Sequence, residues 1–429
     1  MKYLPIDNDL FITNRKALTA IIQKGALAIF NANDIMPTNS DGSMPFRQNS
    51  DLFWLSGVDQ EESILLIFPN HPDENMREVL FLKETNKEIA IWEGSKLTKE
   101  EAFNTSGIKT VFWLSELEDK LDELIKKADA IYLNKNMHAR SKSEVQTRDD
   151  RFRVMISEKF AGKEIKEAAL IMHQLRYVKS DIEIALMQNA CDITEKGLRR
   201  ILPFIKPGIM EYEVEAELMH EFLRNRSKGF AYEPIIGSGI DSCVLHYIDN
   251  NKACKDGDIL LMDFGAEYAN YASDLTRTVP VNGRFSKRQK TVYNAVLHVM
   301  KEATKMLVPG TLFKDYNKEV GKIMEAELIK LGLLDKHDVQ KQDAENPLYK
   351  QYFMHGTSHS LGLDVHDVGS FETPMKEGMV FTCEPGIYII EEGLGVRLEN
   401  DILVTTNGPD DLMKKIPIEA DEIEDLMNA

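Results

Sequence analysis

Apolar positions in the first part of the chain alternate between strand-like and helix-like patterns. Short apolar runs predict β-strands at residues 63–70, 78–84, 88–94 and 130–134. A polar turn separates the first two runs, which predicts that these two strands pair. Between the last two, the apolar residues of 114–128 recur at helical spacing and end in lysines, as a helix C-terminus favours. This alternation predicts an α/β domain over residues 1–172.

The second part of the chain has longer helical patterns with strand-like pieces between and after them. Ser180 followed by Glu183 is typical of a helix start, and we place the domain boundary in the charged stretch before it. Amphipathic patterns predict helices over 181–201, 211–226, 287–307 and 313–333. Strands are predicted over 259–268, 271–281, 379–389 and 395–405. These elements predict a second domain over residues 173–429.

Composition narrows the class of protein. The chain has 429 residues, long enough for two domains, and 28% of them are charged. Its formal net charge of −18 repels phosphate backbones, so we expect no nucleic-acid partner. No apolar run is long enough to span a bilayer and the first residues lack a secretory h-region, so we expect no membrane association. Four cysteines without a CxxC pair favour a reduced, cytoplasmic protein.

Four acidic residues occupy apolar or β-favouring contexts in the second domain. They are Asp263, Asp274, Glu384 and Glu399. Taken singly, each aspartate is explained as a strand end that accepts turn hydrogen bonds, and Glu399 as a solvated residue paired with Arg397. A carboxylate in a buried strand must otherwise be paired, protonated or bound to a metal. The antiparallel ribbon predicted for 259–268 and 271–281 would bring both aspartates into one region.

A cluster of histidines lies between the two acidic pairs. His355, His359 and His366 fall within residues 353–369, with small residues between them. Four anions that converge in a core need cations to neutralise them, and two divalent metal ions bridged by carboxylates would do so. An oxygen-rich donor set with one imidazole suits Mn²⁺. The residues alone therefore predict a centre for two divalent metal ions, with Mn²⁺ as the expected metal. Co²⁺, Fe²⁺ and Zn²⁺ could also bind in vitro, and the sequence does not rank them.

Several separated motifs, in order, resemble one family. The stretches "HGTSHSLGLDVHDVG", "MDFG" followed by "SDLTRT", "CEPGIYI" and "VRLENDILV" are similar to those of the Xaa-Pro aminopeptidases, also called aminopeptidase P. The stretch "PFRQNSDLFWLSGV" resembles their N-terminal domain. The resemblance covers nearly the whole chain. It implies an α/β N-terminal domain followed by an α+β catalytic domain of the pita-bread (creatinase/aminopeptidase-like) fold.

The resemblance also implies roles for individual residues. The metal ligands would be Asp263, Asp274, His359, Glu384 and Glu399. Of these, Asp274 and Glu399 match the bridging positions, and Glu384 also matches the general base. His246 and His366 match histidines that face the substrate and stabilise the developing negative charge. His355 matches a position at the edge of the site, in proton transfer or positioning.

Four further residues match positions near the substrate. They are Tyr232, Tyr388, Arg397 and Trp92. For the two tyrosines core packing is an equal alternative. Trp92 matches a tryptophan that, in related tetramers, reaches a neighbouring subunit's site, although a buried core tryptophan is the simpler reading. We expect a homo-oligomer, a dimer or a tetramer.

The implied reaction is hydrolysis of the bond between an N-terminal residue and a following proline, by a water that bridges two metal ions. The expected partners are peptide substrates with proline at the second position. Prolidase, which cuts only Xaa-Pro dipeptides, shares the fold and ligands and is the first alternative. A metal-free pseudopeptidase that binds peptides is the second, and the intact set of ligand types argues against it. A methionine aminopeptidase fits less well because this chain has a full N-terminal domain.

Overall fold

The computed structural model describes residues 2–141 and 143–429. The chain forms two compact units, residues 3–176 and residues 177–429, with Lys2 grouped with the second. The boundary predicted between residues 172 and 173 therefore lies a few residues before the structural division. Within the described residues, no helix is both long and apolar enough to cross a membrane.

One mixed sheet organises the first unit. Its strands are β1 (Ala26–Asn31), β2 (Ile64–Ile67), β3 (Glu78–Leu82), β4 (Thr110–Trp113), β5 (Ala130–Leu133) and β6 (Glu164–Glu167). The helices are α1 (Asp9–Ile21), α2 (Ser50–Ser56), α3 (Lys87–Glu93), α4 (Lys99–Ser106), α5 (Leu117–Lys127), α6 (Arg148–Lys159) and α7 (Ala169–Tyr177). The strand order is β4-β3-β2-β1-β5-β6. The predicted α/β class and the predicted antiparallel pairing of β2 with β3 are confirmed.

The strand predicted over 88–94 is wrong, because this stretch forms the helix α3. The side chain of Asn86 accepts hydrogen bonds from the backbone N–H groups of Glu88 and Ile89, which caps the helix start. None of the residues of α3 is buried, and Trp92 is 89% exposed. The alternating apolar residues that suggested a strand therefore have no sheet face to cover, and a local cap decides the structure.

The second unit has ten strands among its described residues, in several small sheets. They are β7 (Ile235–Ser238), β8 (Ile259–Phe264), β9 (Glu267–Tyr268), β10 (Tyr271–Ala272), β11 (Leu275–Pro280), β12 (Val380–Cys383), β13 (Gly386–Ile389), β14 (Leu394–Arg397), β15 (Asn400–Leu403) and β16 (Asp410–Asp411). The helices are α8 (Asp181–Ile201), α9 (Glu211–Arg224), α10 (Lys287–Thr304), α11 (Phe313–Lys330), α12 (Lys336–Lys341) and α13 (Ala420–Met427). The four predicted helices, now α8 to α11, are confirmed. Ser180 caps α8 in a capping box with Glu183, as predicted.

The predicted antiparallel ribbon is present. β8 pairs with β11, with Asp263 opposite Thr276, and β7 pairs with the other edge of β8. The short hairpin of β9 and β10 forms the end of the ribbon. The ribbon places Asp263 and Asp274 near each other, as the sequence pattern indicates.

The two strands predicted over 379–389 and 395–405 are each divided in two. The chain leaves β12 at Glu384 and Pro385 and continues as β13, which pairs with β14. It leaves β14 before Glu399 and continues as β15, which pairs with β12. Proline has no N–H to continue a ladder, which explains the break after Glu384. Both glutamates therefore lie where the chain passes from one sheet to another, rather than inside a strand.

Candidate metal centre

The structure brings the five predicted metal ligands together. Nε2 of His359 lies 3.4 Å from Oδ2 of Asp274 and 3.4 Å from Oε1 of Glu384. Ligand atoms of Asp274, His359 and Glu399 all lie within 4.8 Å of one another. Asp263 joins the group through the hydroxyl of Tyr232, which contacts both Asp263 and Asp274. Side chains from widely separated segments thus face one small volume.

Hydrogen bonds to the backbone and to the carboxylates hold the ligands in place. The backbone N–H of Asp274 donates to Oδ2 of Asp401 at 3.0 Å. The hydroxyl of Thr276 donates to Oε2 of Glu399 at 2.5 Å. Such supporting contacts fix the orientation of ligand side chains.

The hydrogen bond made by Nδ1 of His359 directs its Nε2 atom toward the carboxylates, where a metal ion would bind. Nδ1 of His359 lies 3.1 Å from the carbonyl oxygen of Ser360, which can only accept, so Nδ1 carries the proton. The backbone N–H of His359 donates to the hydroxyl of Thr382 at 3.1 Å, and this hydroxyl donates to Oε1 of Glu384 at 3.3 Å. Nε2 then faces the carboxylates, as in a metal-ligating histidine.

The carboxylates are crowded beyond what the protein's own cations neutralise. Burial raises the pKa of Glu384 to about 7, and burial together with the nearby Asp274 and Glu384 raises the pKa of Glu399 well above its ordinary value. Burial also raises the pKa of Asp263, although Arg397 opposes this effect. A group of acids whose charge is disfavoured in this way is stabilised by divalent cations, so the donor set fits metal ions.

The same acids affect the charge of His359 in the opposite way, because they favour its protonated, positively charged form. Burial alone would lower its pKa, but the hydrogen bond to Asp274 and the charge of Glu384 raise the pKa of His359 to about 9. The protein without metal thus offsets part of its acid excess with an imidazolium. A metal ion would take the place of that proton.

A directed hydrogen-bond chain borders the metal ligands. Nη2 of Arg397 lies 2.5 Å from Oδ2 of Asp263, and its Nη1 donates to the hydroxyl of Tyr388 at 2.9 Å. Nδ1 of His355 lies 2.8 Å from the carbonyl oxygen of Gly356, so its Nε2 accepts the proton of Tyr388 at 2.8 Å. Burial lowers the pKa of His355 to about 3, which keeps the ring neutral.

The other predicted histidines lie at the edge of this group. The ring of His366, half-buried, lies 4.3 Å from that of His359 between centroids, at an interplanar angle of 69°. His246 is exposed, and it is close enough for its charge to contribute to the lowered pKa of His355. Trp92 belongs to the first unit, where it is exposed on α3; the prediction of a buried tryptophan as the simpler reading is wrong.

Sequence reasoning missed three side chains that support the ligands. They are Thr276, Thr382 and Asp401. Closeness in sequence could have indicated them, since Thr276 and Asp401 each lie two residues after a predicted ligand. Which backbone or side-chain atom each one would meet depends on strand pairing, which the sequence does not state.

Buried carboxylates around one imidazole form a donor set that suits divalent metal ions. Residues 185–406 match the model of metallopeptidase family M24, and residues 11–132 match that of the aminopeptidase P N-terminal domain. The chain belongs to metallopeptidase family M24. The predicted pita-bread fold of the catalytic domain, preceded by an aminopeptidase P-type domain, is confirmed.

Relatives cover the chain from end to end. It is 34% identical to the Xaa-Pro aminopeptidase of Escherichia coli (strain K12), over 99% of this chain and 98% of that protein. It is similar to the structure of aminopeptidase PepP from Pseudomonas aeruginosa, with a TM-score of 0.90 and 33% identity over 100% of this chain and 99% of that one. The structure of zinc-substituted Escherichia coli aminopeptidase P in complex with product gives a TM-score of 0.89 and 33% identity, with 99% of each chain covered.

Proposed function

We propose that this protein is a Xaa-Pro aminopeptidase, a hydrolase that releases an N-terminal residue from a peptide whose second residue is proline. The observation that carries this proposal is the convergence of the five predicted ligands in a chain that matches both aminopeptidase P domains. Relatives that span nearly the whole chain bear the same enzyme name.

Two divalent metal ions would be held by Asp263, Asp274, His359, Glu384 and Glu399. Ligand atoms of Asp274, His359 and Glu399 lie within 4.8 Å of one another, so these three residues would share in holding the same ion. When bound, the ions would supply Lewis-acid polarisation of the scissile carbonyl and lower the pKa of the attacking water. The oxygen-rich donor set favours Mn²⁺ over metals that prefer thiolates.

Glu384 is the residue best placed to move the proton of the attacking water. Its Oε1 faces Nε2 of His359, and its Oε2 lies 3.8 Å from Nδ1 of His355. It also retains 17% exposure of its side chain, so it borders the space that a substrate would enter. A carboxylate there would accept a proton from the nucleophile and pass it to the nitrogen that leaves.

Three imidazoles would surround the reacting carbonyl. His246 and His366 would donate hydrogen bonds to the oxygen on which negative charge develops, since donors already in position stabilise that charge. His355 is oriented by Tyr388, and Tyr388 by Arg397. Tyr388 and Arg397, together with Tyr232, would thereby fix the side chains that border the substrate pocket.

Proline lacks an amide hydrogen and has a fixed φ, so the pocket must recognise the shape of the ring. The peptide's free amine carries positive charge and would meet the acidic side chains of the centre.

We also propose a cytoplasmic location, supported by four free cysteines. A homo-oligomer, dimer or tetramer, is supported by the exposed Ile91 and Trp92 on α3, which would pack against another subunit near its site.

The experiment that tests this proposal compares Xaa-Pro dipeptides with Xaa-Pro-Yaa tripeptides, with and without added Mn²⁺. We expect release of the first residue from the tripeptide, dependent on the metal ion. A tripeptide with alanine in place of proline is the control and should be cleaved far more slowly. Cleavage of dipeptides alone would favour prolidase, and absence of any metal-dependent cleavage would contradict a peptidase role.

A further inference from the structure

A buried carboxylate outside the metal centre ties together the segment that carries His246. Glu211 is the first residue of α9 and has 0% exposure. Its Oε1 accepts hydrogen bonds from the backbone N–H of Ser238 at 2.8 Å and from the Ser238 hydroxyl at 2.7 Å. Its Oε2 accepts from the hydroxyl of Tyr247 and from the backbone N–H of Lys252, both at 2.9 Å.

These contacts hold the His246 loop, which we define as residues 239–252, at both ends and near its middle. Ser238 directly precedes the loop, Lys252 ends it, and Tyr247 follows His246 within it. The four donors are two backbone amides and two hydroxyls, all neutral. Burying a carboxylate is costly, but four hydrogen bonds and the positive end of α9 stabilise this one.

The orientation of Tyr247 decides where His246 points. Tyr247 is buried in a small apolar cluster with Ile235, Leu261 and Tyr388. Val244, His246 and Ile248, by contrast, are exposed. Leu245 and His246 form a turn, and the buried Tyr247 that follows fixes the chain at the end of this turn, with His246 on the exposed side.

Two further side chains, Asn250 and Lys252, fix the loop independently of Glu211. The side chain of Asn250 accepts from the backbone N–H of Ile236 at 2.9 Å and donates to the carbonyl oxygen of Pro234 at 3.0 Å. The ammonium of Lys252 pairs with Asp241. Loss of the Tyr247 hydrogen bond alone should therefore loosen the middle of the loop without releasing its ends.

We propose that Glu211 is a positioning residue that holds His246 toward the substrate by anchoring Tyr247. This inference rests on the proposed function, because it assigns to His246 the stabilising role described there. Glu211 itself does not contact the five metal ligands in the described hydrogen bonds. Its effect on the reaction would be transmitted by the fixed orientation of the loop.

The test is a double-mutant cycle of Tyr247→Phe and Glu211→Gln with His246→Ala, measured as steady-state hydrolysis of an Xaa-Pro-Yaa tripeptide at saturating metal ion. In the native background we expect each anchor variant to lower kcat about 10- to 100-fold with KM nearly unchanged, since small misplacements of a catalytic group are costly. In the His246→Ala background we expect less than about twofold further loss. A purely structural role would lower activity by the same factor in both backgrounds and would overturn the inference.

Hydrogen–deuterium exchange of the His246 loop supplies a readout that does not depend on activity. We expect faster exchange in residues 239–252 of Tyr247→Phe, with the rest of the chain unchanged; unchanged exchange in the loop would contradict the anchoring role. Tyr212→Phe, at an exposed position on the same helix, is a matched control that should leave kcat and exchange unchanged. If Glu211→Gln does not fold, Tyr247→Phe carries the test alone. Wild-type protein that hydrolyses no Xaa-Pro peptide would refute the proposed function, and the exchange result would still decide whether Tyr247 anchors the loop.

Discussion

Two buried acidic sites, one in each unit, differ in how their charge is neutralised. In the first unit, Asp51 is buried and its Oδ1 lies 2.8 Å from Nη1 of Arg176, while its Oδ2 accepts from Asn134 at 2.8 Å. In the second unit, Asp263, Asp274, Glu384 and Glu399 share one region in which Arg397 and His359 offer positive charge. The first acid is neutralised within the protein, and the second group is left with an excess of negative charge.

This difference in neutralisation distinguishes an acid that stabilises the fold from acids that would be stabilised by a bound cation. A buried ion pair with good geometry satisfies both partners, so breaking it costs stability. A cluster of acids without enough partners destabilises the metal-free fold, and the cost is offset when metal ions bind. The same change, carboxylate to amide, should therefore affect stability in one unit and catalysis in the other.

The largest expected effect is that of Asp274→Asn on activity. Removing this proposed metal ligand should lower kcat/KM for an Xaa-Pro-Yaa tripeptide at least about 10³-fold, or about 4 kcal/mol, because metal ions contribute several kcal/mol to transition-state stabilisation. The free energy of unfolding of the metal-free variant should stay equal or rise, because one acid of the cluster is neutralised. Full activity of this variant would remove Asp274 from the ligand set.

The second prediction is that Asp51→Asn lowers stability and leaves activity unchanged. The substitution leaves the buried guanidinium of Arg176 without the charge of its acid, so the free energy of unfolding of the first unit should fall by about 3 kcal/mol. The activity of the folded fraction should be unchanged. Denaturant unfolding followed separately for each unit, with kcat measured on the native protein, checks both parts.

Asp34→Asn is the matched control for this prediction. Asp34 pairs with Arg151 at 2.7 Å, but this pair is partly exposed, with side-chain exposures of 29% and 49%. Its loss should cost less than about 1 kcal/mol. Equal destabilisation by both substitutions would show that burial does not distinguish the two ion pairs.

The sequence predicted the acid cluster but not the buried ion pair, for a physical reason. Asp263 and Asp274 lie in apolar strand patterns on one predicted ribbon, so each residue's own context marks it as unusual. Asp51 lies in an ordinary helix, and Arg176, its partner, is 125 residues away. A pattern along the chain reports burial and periodicity, but it does not report which distant side chain a buried group will meet.

The same limit explains the elements that were wrong or missing. The apolar residues of 88–94 alternate as in a strand, but they do not pack against a sheet. The cap by Asn86 stabilises a helix there instead. The strands over 379–389 and 395–405 were predicted as continuous, and the breaks at Glu384 and Glu399 place these acids at the site. Periodicity located the segments, whereas the change of sheet at each break is a tertiary property.

The third prediction concerns metal ions and compares the stability of the two units directly. Mn²⁺ at about 100 times its dissociation constant should raise the free energy of unfolding of residues 177–429 by about 2.7 kcal/mol, and should leave that of residues 3–176 unchanged. Thermal unfolding monitored by hydrogen exchange resolves the two units, and a chelator should reverse the effect. In Asp274→Asn the stabilisation should be much smaller; an equal stabilisation would mean that Mn²⁺ binds elsewhere.

The smallest expected effect is that of Thr276→Val, which removes a hydrogen bond to one acid of the metal centre. The hydroxyl of Thr276 donates to Oε2 of Glu399 at 2.5 Å and accepts from Nε of Arg397 at 3.2 Å. Thr276→Val keeps the volume and removes both bonds, so Glu399 loses the donor that orients it. We expect about a 10-fold loss of kcat/KM, about 1.4 kcal/mol, measured at saturating Mn²⁺.

Thr278→Val is its matched control, because Thr278 is equally buried two residues along β11 but hydrogen-bonds only backbone atoms of Arg397 in the contacts described. Its effect on kcat/KM should stay within about twofold, although both variants lose two hydrogen bonds at a buried position. A higher Mn²⁺ concentration requirement in Thr276→Val, and not in Thr278→Val, would place the loss at the metal ligand. Equal losses in the two variants would mean that the hydroxyls act by stabilising β11, and that the acids of the centre are oriented without Thr276.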